Sequence, residues 1–472
     1  MEPNSSAMML GMFTIFLFLL NAIKNKHHQN IKDFLFSSQS ISSNKFSSTT
    51  VASGTSLSTV FIFFIITAPI YGWWLLFAPM TYAFGLLISN TVFKKVSLNT
   101  NLNEIGSISD FISKKTNFQL LVYVTEIITF FGFLAIILVE VILGLQILNH
   151  FINDNVNIKT IFIIIILSIT ALYVYLGGYK AVIDSDSWQN KLILSSVGGF
   201  FVYLILIFSS NPDKISSIFT ITNIPITLLE LIVFLLNVLI LNIFLPISQL
   251  SMWHRFSISK SKDDVSFGIN KSIKVVFILW GLLIFIGISI YSLGYKLENV
   301  EDVFNMLIKT SSIGAYIIFP LIFIGMLSAL LSTVDTSLIT IIYLLFNSKK
   351  THTLFDNKIS IFLSIFFTLI LVIILYFLVN YTVGIDLLSI IFTILGQIVL
   401  LGPPLVMLSN RNINLSIIES KILAIGLVVS IVLLWTISFY GMHVSKLWIS
   451  QLGIPVSVLF MTLISLLLWK NK

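Results

Sequence analysis

The segment SSTTVASGTSLST, residues 47–59, is polar and rich in small residues, although a long apolar stretch follows it directly. A lipid-facing helix carries few such residues, because hydrocarbon offers no partner for a hydroxyl group. One interpretation is close helix packing, in which small residues meet and hydroxyls bond back to carbonyls of the preceding turn. The alternative is the unwound part of a broken membrane helix, whose free carbonyls line a hydrated cavity and bind a cation.

The rest of the chain is too apolar for a water-soluble protein. Hydrophobic residues make up 57% of its 472 residues, charged residues only 10%, and the mean hydropathy is +1.01. Soluble domains carry about 25% charged residues. At about 20 residues per crossing, the apolar segments predict an all-α polytopic membrane protein with about thirteen helices in a single transmembrane domain. The predicted limits are 7–23, 47–71, 73–93, 118–148, 158–177, 189–209, 226–252, 272–294, 312–346, 359–380, 385–408, 421–440 and 450–469.

The basic residues predict how the chain is oriented. With the N-terminus outside and the C-terminus in the cytoplasm, 22 of the 27 Lys and Arg residues fall in inside loops and 5 in outside loops. This split follows the positive-inside rule and predicts a multi-pass protein of a cell inner membrane. The net charge of +7 therefore reflects loop placement and not nucleic-acid binding. The absence of cysteine excludes disulfides and thiol chemistry.

A second polar segment, SALLSTVDTS at residues 328–337, lies inside the predicted ninth span. Adjacent hydroxyls and a carboxylate in mid-helix are costly unless they serve an ion or a water path. Hydroxyls and carbonyls are hard oxygen donors that suit a hard cation such as sodium. We therefore expect a second break here, with Asp335 as a structural partner in the alternative interpretation.

A third segment, LGGYKAVIDSDSWQ at residues 176–189, connects two predicted spans. The Gly-Gly pair predicts a sharp turn. Two aspartates, Asp184 and Asp186, then lead into the next helix, and negative charge near a helix N-terminus is favourable by itself. Capping of that helix is thus the simple interpretation of these two side chains.

Further polar residues and prolines interrupt later spans. Pro246 removes one backbone hydrogen bond and predicts a kink or break in the seventh span, and Pro403-Pro404 predict the same in the eleventh. For Glu140 and Glu230 we expect positions close to a membrane interface. Further polar residues in these two interrupted spans include Asn237, Asn242, Gln249 and Gln397.

Residues 173–189 resemble the sodium:solute symporter family, which includes the sodium/glucose, sodium/proline and sodium/pantothenate transporters. The family has a Gly-Gly-x-x-Ala-Val motif leading into a Thr-Asp-x-x-Gln element, and Asp186 and Gln189 fall on that Asp and Gln. Other segments agree in order: residues 52–56 resemble the family's broken first core helix, 253–256 its Gln-Arg-aromatic element, and 328–337 its Ala-x-x-Ser-Thr-x-Asp-Ser segment.

The resemblance implies a LeuT-type fold with a five-plus-five inverted repeat. Its halves would be residues 47–209 and 226–408, with peripheral helices at 7–23, 421–440 and 450–469. The implied function is sodium-coupled symport of a small polar solute by alternating access, without enzymatic chemistry. The implied partners are that solute and the lipid bilayer, with no nucleic acid and no obligatory protein partner.

The resemblance also implies site residues, and its only cofactor is the co-transported sodium ion. Asp186 would lie near the inward exit path of the ion. Gly54 stands where relatives often have Asp or Asn, so their solute-binding residues do not carry over. We expect Ser58, Thr59 and Asn237 to face the solute. The implied sodium ligands are the backbone carbonyls of Ala52, Thr55 and Ala329 and the hydroxyls of Ser332 and Thr333.

Three alternatives remain open at this stage. The first is a carrier of the same fold coupled to protons. The second is a transporter-like membrane sensor, and the third is a polytopic membrane enzyme.

Overall fold

The computed structural model describes residues 3–24, 31–36, 41–99, 105–149, 151, 156–219, 226–347, 358–381, 387–411 and 414–470. Within these ranges the chain is almost entirely helical, and the only β-type pairings are two isolated bridges. In chain order the α-helices are α1 (Pro3–Lys24), α2 (Ile31–Phe36), α3 (Ser43–Gly54), α4 (Phe63–Tyr71), α5 (Phe77–Asn99), α6 (Ile108–Lys115), α7 (Gln119–Asn149), α8 (Val156–Ser210), α9 (Ile215–Phe219), α10 (Leu228–Ser248), α11 (Leu250–Ser257), α12 (Lys262–Ser292), α13 (Val300–Thr310), α14 (Phe319–Asn347), α15 (Lys358–Tyr381), α16 (Leu387–Val399), α17 (Gly402–Ser409), α18 (Ile417–His443) and α19 (Leu447–Lys470).

Ten helical segments of the described residues are long and apolar enough to cross a membrane. Two of them, Leu57–Leu98 and Ile164–Ser210, have 42 and 47 residues. This is about twice the length that one crossing needs. The chain is therefore a multi-pass helical membrane protein, while the count of thirteen spans stays a prediction.

The first core helix is broken where the polar segment predicted it. Helix α3 ends at Gly54, and Thr55 (φ −108°, ψ 66°) and Ser56 (φ −65°, ψ 155°) leave the helical conformation. The chain then resumes as a π-helical turn, Leu57–Ile62, that runs directly into α4. At the restart, the Ser56 hydroxyl accepts a hydrogen bond from the Thr59 N–H at 3.0 Å, which satisfies one donor of the new helix end.

The predicted interruptions near the prolines are also confirmed. Helix α10 ends two residues after Pro246, and Gln249 (φ −78°, ψ 117°) separates it from α11. In the same way, α16 and α17 are separated at residues 400–401, just before the Pro403-Pro404 pair. Proline has no N–H to continue the ladder, so the preceding turns lose a bond and the helix ends nearby.

The Gly-Gly turn is confirmed and is sharper than the sequence indicated. Gly178 has φ 56° and ψ −158°, a conformation that divides α8 into two helices with no intervening loop. The capping interpretation of the aspartates is wrong, because Asp184 and Asp186 lie beyond the first turn of the helix that restarts after Gly178. Asp184 instead accepts a hydrogen bond from Lys45 at 2.7 Å, and Asp186 is buried.

The expected break in residues 328–337 is absent, and α14 runs through them without interruption. Hydroxyl groups are compatible with an uninterrupted helix. The hydroxyls of Thr333 and Thr340 donate to the carbonyls four residues earlier, at 3.0 and 2.7 Å, so they find partners within the helix. Hydroxyl content alone therefore did not distinguish a broken helix from a continuous one.

Helix packing places these features around one centre. Helix α3 packs against α8, α12 and α14, while α10 packs against α5 and α16. Helix α1 lies outside this bundle against α8 and α14, and α18 and α19 form a pair that contacts α7, α10 and α16. The break after α3 and the break after α10 thus face the interior of the bundle.

Candidate functional site

A cavity of about 90 Å³ lies beside the break between α3 and α4. A single water needs only about 10–15 Å³ of such space, so the cavity is large enough for a small molecule. Helices α5, α7, α10, α12, α14 and α16 complete its wall. The non-aromatic polar residues of the wall are Ser53, Ser56, Thr59, Asn242, Gln249 and Thr333. Its aromatic residues are Phe63, Phe64, Tyr82, Trp280 and Phe392.

Backbone oxygens at the break are the first half of the predicted sodium site. The Ala52 carbonyl accepts a hydrogen bond from the Thr55 N–H at 3.2 Å, which leaves its second lone pair for a cation. Because Thr55 lies outside the helical conformation, its carbonyl is not held in an i→i+4 ladder. Both residues are completely buried, so water does not screen a bound ion there.

The second half of the predicted sodium site lies on α14. The Ser332 hydroxyl donates to Asp186 Oδ1 at 2.5 Å, and the Thr333 hydroxyl donates to the Ala329 carbonyl at 3.0 Å. Each hydroxyl oxygen keeps lone pairs for a cation after donating its proton. Thr333 lines the same cavity as Ser56, which places one member of the α14 pair beside the break.

The predicted ion-path residue Asp186 belongs to a buried acidic cluster. Its partner Ser332 is one turn before Asp335, which accepts hydrogen bonds from Tyr173 and, at 3.4 Å, from Ser185. Asp335 Oδ1 has no hydrogen-bond partner among the described residues. The predicted sodium ligand Ser332 is therefore hydrogen-bonded to one of these two buried carboxylates, that of Asp186.

Of the three predicted solute residues, the structure brings only Thr59 to the cavity wall. Ser58 points the other way and binds Glu140 with both its N–H (3.2 Å) and its hydroxyl. Asn237 is fully buried outside the cavity wall. Residues five apart on a helix point about 140° away from each other, so Asn242, and not Asn237, faces the cavity.

Sequence reasoning missed Asn242, Gln249 and Glu140 as site residues. The apolar row Val238, Leu241 and Leu245 marks the cavity side of α10, and Asn242 is the polar residue within that row. Gln249 lies at the break itself. The spacing of α10 and the Pro246 signal would have selected these two residues.

The interface position expected for Glu140 is wrong. Its side chain is completely buried on α7 and contacts the restart of the broken helix. No local pattern connects α7 to that break, so the sequence carries no sign of the contact. Glu230, in contrast, is only partly buried and forms a capping box with Thr227 at the start of α10, as a helix end near an interface would.

No protein-family profile matches the chain. No curated protein matches it in sequence either. Solved structures match its fold over nearly its full length. A Na⁺-coupled sialic acid symporter, in a substrate-bound outward-open state, superimposes with a TM-score of 0.70, covering 98% of both chains at 16% identity. This chain has a LeuT-type fold.

Two further structures agree with that fold. Mhp1, a nucleobase-cation-symport-1 family transporter in a closed conformation with bromovinylhydantoin bound, gives a TM-score of 0.56 at 11% identity, covering 93% of this chain and 94% of its own. The manganese transporter of Eremococcus coleocola, in complex with an aromatic bis-isothiourea substituted compound, gives 0.56 at 12% identity, covering 94% and 100%. The expected all-α LeuT-type fold is confirmed, and at these identities the likeness concerns the fold alone.

Proposed function

We propose that this protein is a secondary transporter that carries a small polar solute together with sodium by alternating access. One observation carries the proposal: a solute-sized cavity lies inside a LeuT-type bundle, at the place where a membrane helix is unwound. Irregular backbone at membrane depth is tolerated where it lines a cavity and binds a ligand or ion.

The sodium site would consist of five oxygens from two helices. The carbonyls of Ala52 and Thr55 come from the break, and Ala329, Ser332 and Thr333 come from the neighbouring helix α14. An ion bound by both helices would hold the first core helix against α14. This bracing would favour one orientation of the cavity and thereby link ion binding to solute binding.

The driving force would be the sodium gradient together with the membrane potential. Moving one charge through 100 mV contributes about 2.3 kcal/mol, which corresponds to roughly a 50-fold accumulation of solute. Asp186, bonded to Ser332, would receive the ion on its way to the cytoplasm. In this mechanism the two halves of the fold rock around the site, and no covalent step is required.

The test compares the thermal stability of purified protein in sodium chloride and in potassium chloride. A ligand present at 100 times its dissociation constant stabilises by about 2.7 kcal/mol, so the wild type should melt measurably higher in sodium. Thr333→Ala and Ser332→Ala should lose that difference. Thr340→Ala is the matched control, because Thr340 makes the same bond to its own helix but lies one turn or more beyond the site.

The same measurement addresses the proton-coupled alternative. Buried carboxylates at Glu140, Asp186 and Asp335 are a specific reason to consider it. A wild type that melts at the same temperature in sodium and potassium, but whose melting temperature follows pH, would contradict sodium coupling and favour protons. A sodium effect that survives in Thr333→Ala would reject the proposed ligands.

A further inference from the structure

The restart of the broken first core helix should be a strong site for an anion. Residues 57–71 form one continuous helical stretch, and its first N–H groups have no carbonyl of a preceding turn to bond. Such a helix end carries partial positive charge. In carriers with broken helices, an end of this kind points at anionic groups of the solute.

In this protein a side chain of its own, that of Glu140, occupies that helix end. Glu140 Oε1 accepts hydrogen bonds from the N–H of Ser58 at 3.2 Å and from the Ser58 hydroxyl. The next N–H, that of Thr59, donates to the Ser56 hydroxyl at 3.0 Å. The buried carboxylate of Glu140 thus lies where a carboxylate of a bound solute would otherwise be held.

The described cavity wall itself carries no charged side chain. Asn242 uses its Nδ2 for the Ala78 carbonyl and for Thr81 Oγ1, both at 3.1 Å, so its Oδ1 remains as an acceptor. Gln249 contributes an amide with both a donor and an acceptor.

Five aromatic side chains form a large share of the apolar wall. Tyr82 and Trp280 lie with ring centroids 4.6 Å apart, Phe64 packs against Trp280 at 5.4 Å, and Phe63 packs against Phe392 at 5.9 Å. Flat faces of this kind stack well on planar or ring-shaped solutes. An unpaired solute charge placed among them would be strongly unfavourable.

From these contacts we infer that the solute is uncharged: a compact ring compound with an amide, carbonyl or hydroxyl edge, for which Glu140 replaces the missing carboxylate at the helix end. This inference rests on the proposed transport function and specifies its solute. Glu140 acts as a specificity-determining residue, because it occupies the helix end next to the wall residues Ser56 and Thr59, where an anion would otherwise be held.

The first experiment measures binding to purified wild type through quenching of Trp280 fluorescence, with Trp280→Phe as the blank. The probes are two matched pairs, nicotinamide with nicotinate and benzyl alcohol with benzylamine, each measured in sodium and in potassium. We expect each uncharged compound to bind at least tenfold more tightly than its charged partner. A charged partner that binds as tightly, or the failure of both uncharged compounds to bind, would overturn the inference. Equal binding in sodium and potassium would contradict only the sodium coupling.

The second experiment removes the Glu140 carboxylate from the helix end. Glu140→Ala should gain at least tenfold in affinity for nicotinate, because the Ser58 N–H becomes available to its carboxylate. Glu140→Gln is the matched control and should gain nothing, since its amide oxygen still accepts from Ser58. An identical nicotinate affinity in all three proteins contradicts the role of Glu140. If the alanine variant does not fold, the wild-type comparison of matched pairs still decides the charge of the solute.

Discussion

At the residue scale, Gly54 shows how one missing side chain shapes the cavity. It is the last residue of α3, and a Cβ added to it would lie 3.0 Å from the Tyr82 hydroxyl oxygen. The space that a larger residue would need at this position is therefore taken by Tyr82. The polar group beside this position therefore comes from α5.

This arrangement predicts a coupling between the two residues. Gly54→Ala overpacks the contact and should lower the free energy of unfolding by about 1–3 kcal/mol. In a Tyr82→Phe background the clashing oxygen is gone, so the same substitution should cost clearly less. A double-mutant cycle on thermal unfolding measures the difference. Equal costs in both backgrounds would show that the Tyr82 hydroxyl does not limit the space at Gly54.

At the element scale, the helix breaks were the most predictable feature of the fold. Each break is predicted by residues next to it in the sequence. These are the small hydroxyl residues at 47–59, Pro246 before Gln249, and the Gly-Gly turn. Residues 328–337 are similarly rich in hydroxyls but form a continuous helix, in which the Thr333 hydroxyl donates to the Ala329 carbonyl. A threonine inside a helix can donate to the carbonyl four residues earlier. Composition alone therefore could not show whether residues 328–337 form a broken or a continuous helix.

The contacts between distant elements were not predictable from the sequence. Glu140 reaches Ser58 across 82 positions, and Asp186 reaches Ser332 across 146. The hydrophobic periodicity of the sequence carries no information about such long-range pairs. The α10 residues are an intermediate case, because helical spacing separates Asn242 from Asn237 once the cavity side of the helix is known.

The Gly178 turn makes a prediction at the same scale. With φ 56° and ψ −158°, its backbone lies in a region that is essentially restricted to glycine. Gly178→Ala should therefore lower the free energy of unfolding by about 1–3 kcal/mol. Gly198→Ala, further along α8 and with no atom within 4 Å of the added Cβ, should stabilise by about 0.5–1 kcal/mol. Two variants with equal stability would contradict the turn.

At the scale of the whole molecule, alternating access would open the cavity to the two sides of the membrane in turn. In the proposed mechanism, sodium bound between α3 and α14 would brace these helices and shift the population toward one of the two states. The sequence contains no cysteine, so a single introduced cysteine is a unique reporter of access. Asn242 is well placed for this purpose, since it lines the cavity without belonging to the proposed sodium site.

The most direct measurement is therefore the rate at which Asn242→Cys reacts with a membrane-impermeant thiol reagent, added to either side of reconstituted vesicles. We predict that replacing potassium by sodium raises the rate from the outside and lowers it from the inside, each severalfold. Thr340→Cys, buried in α14 away from the cavity, should stay unreactive in both salts. Reaction of Asn242→Cys at the same rates in sodium and in potassium would contradict sodium-coupled alternating access.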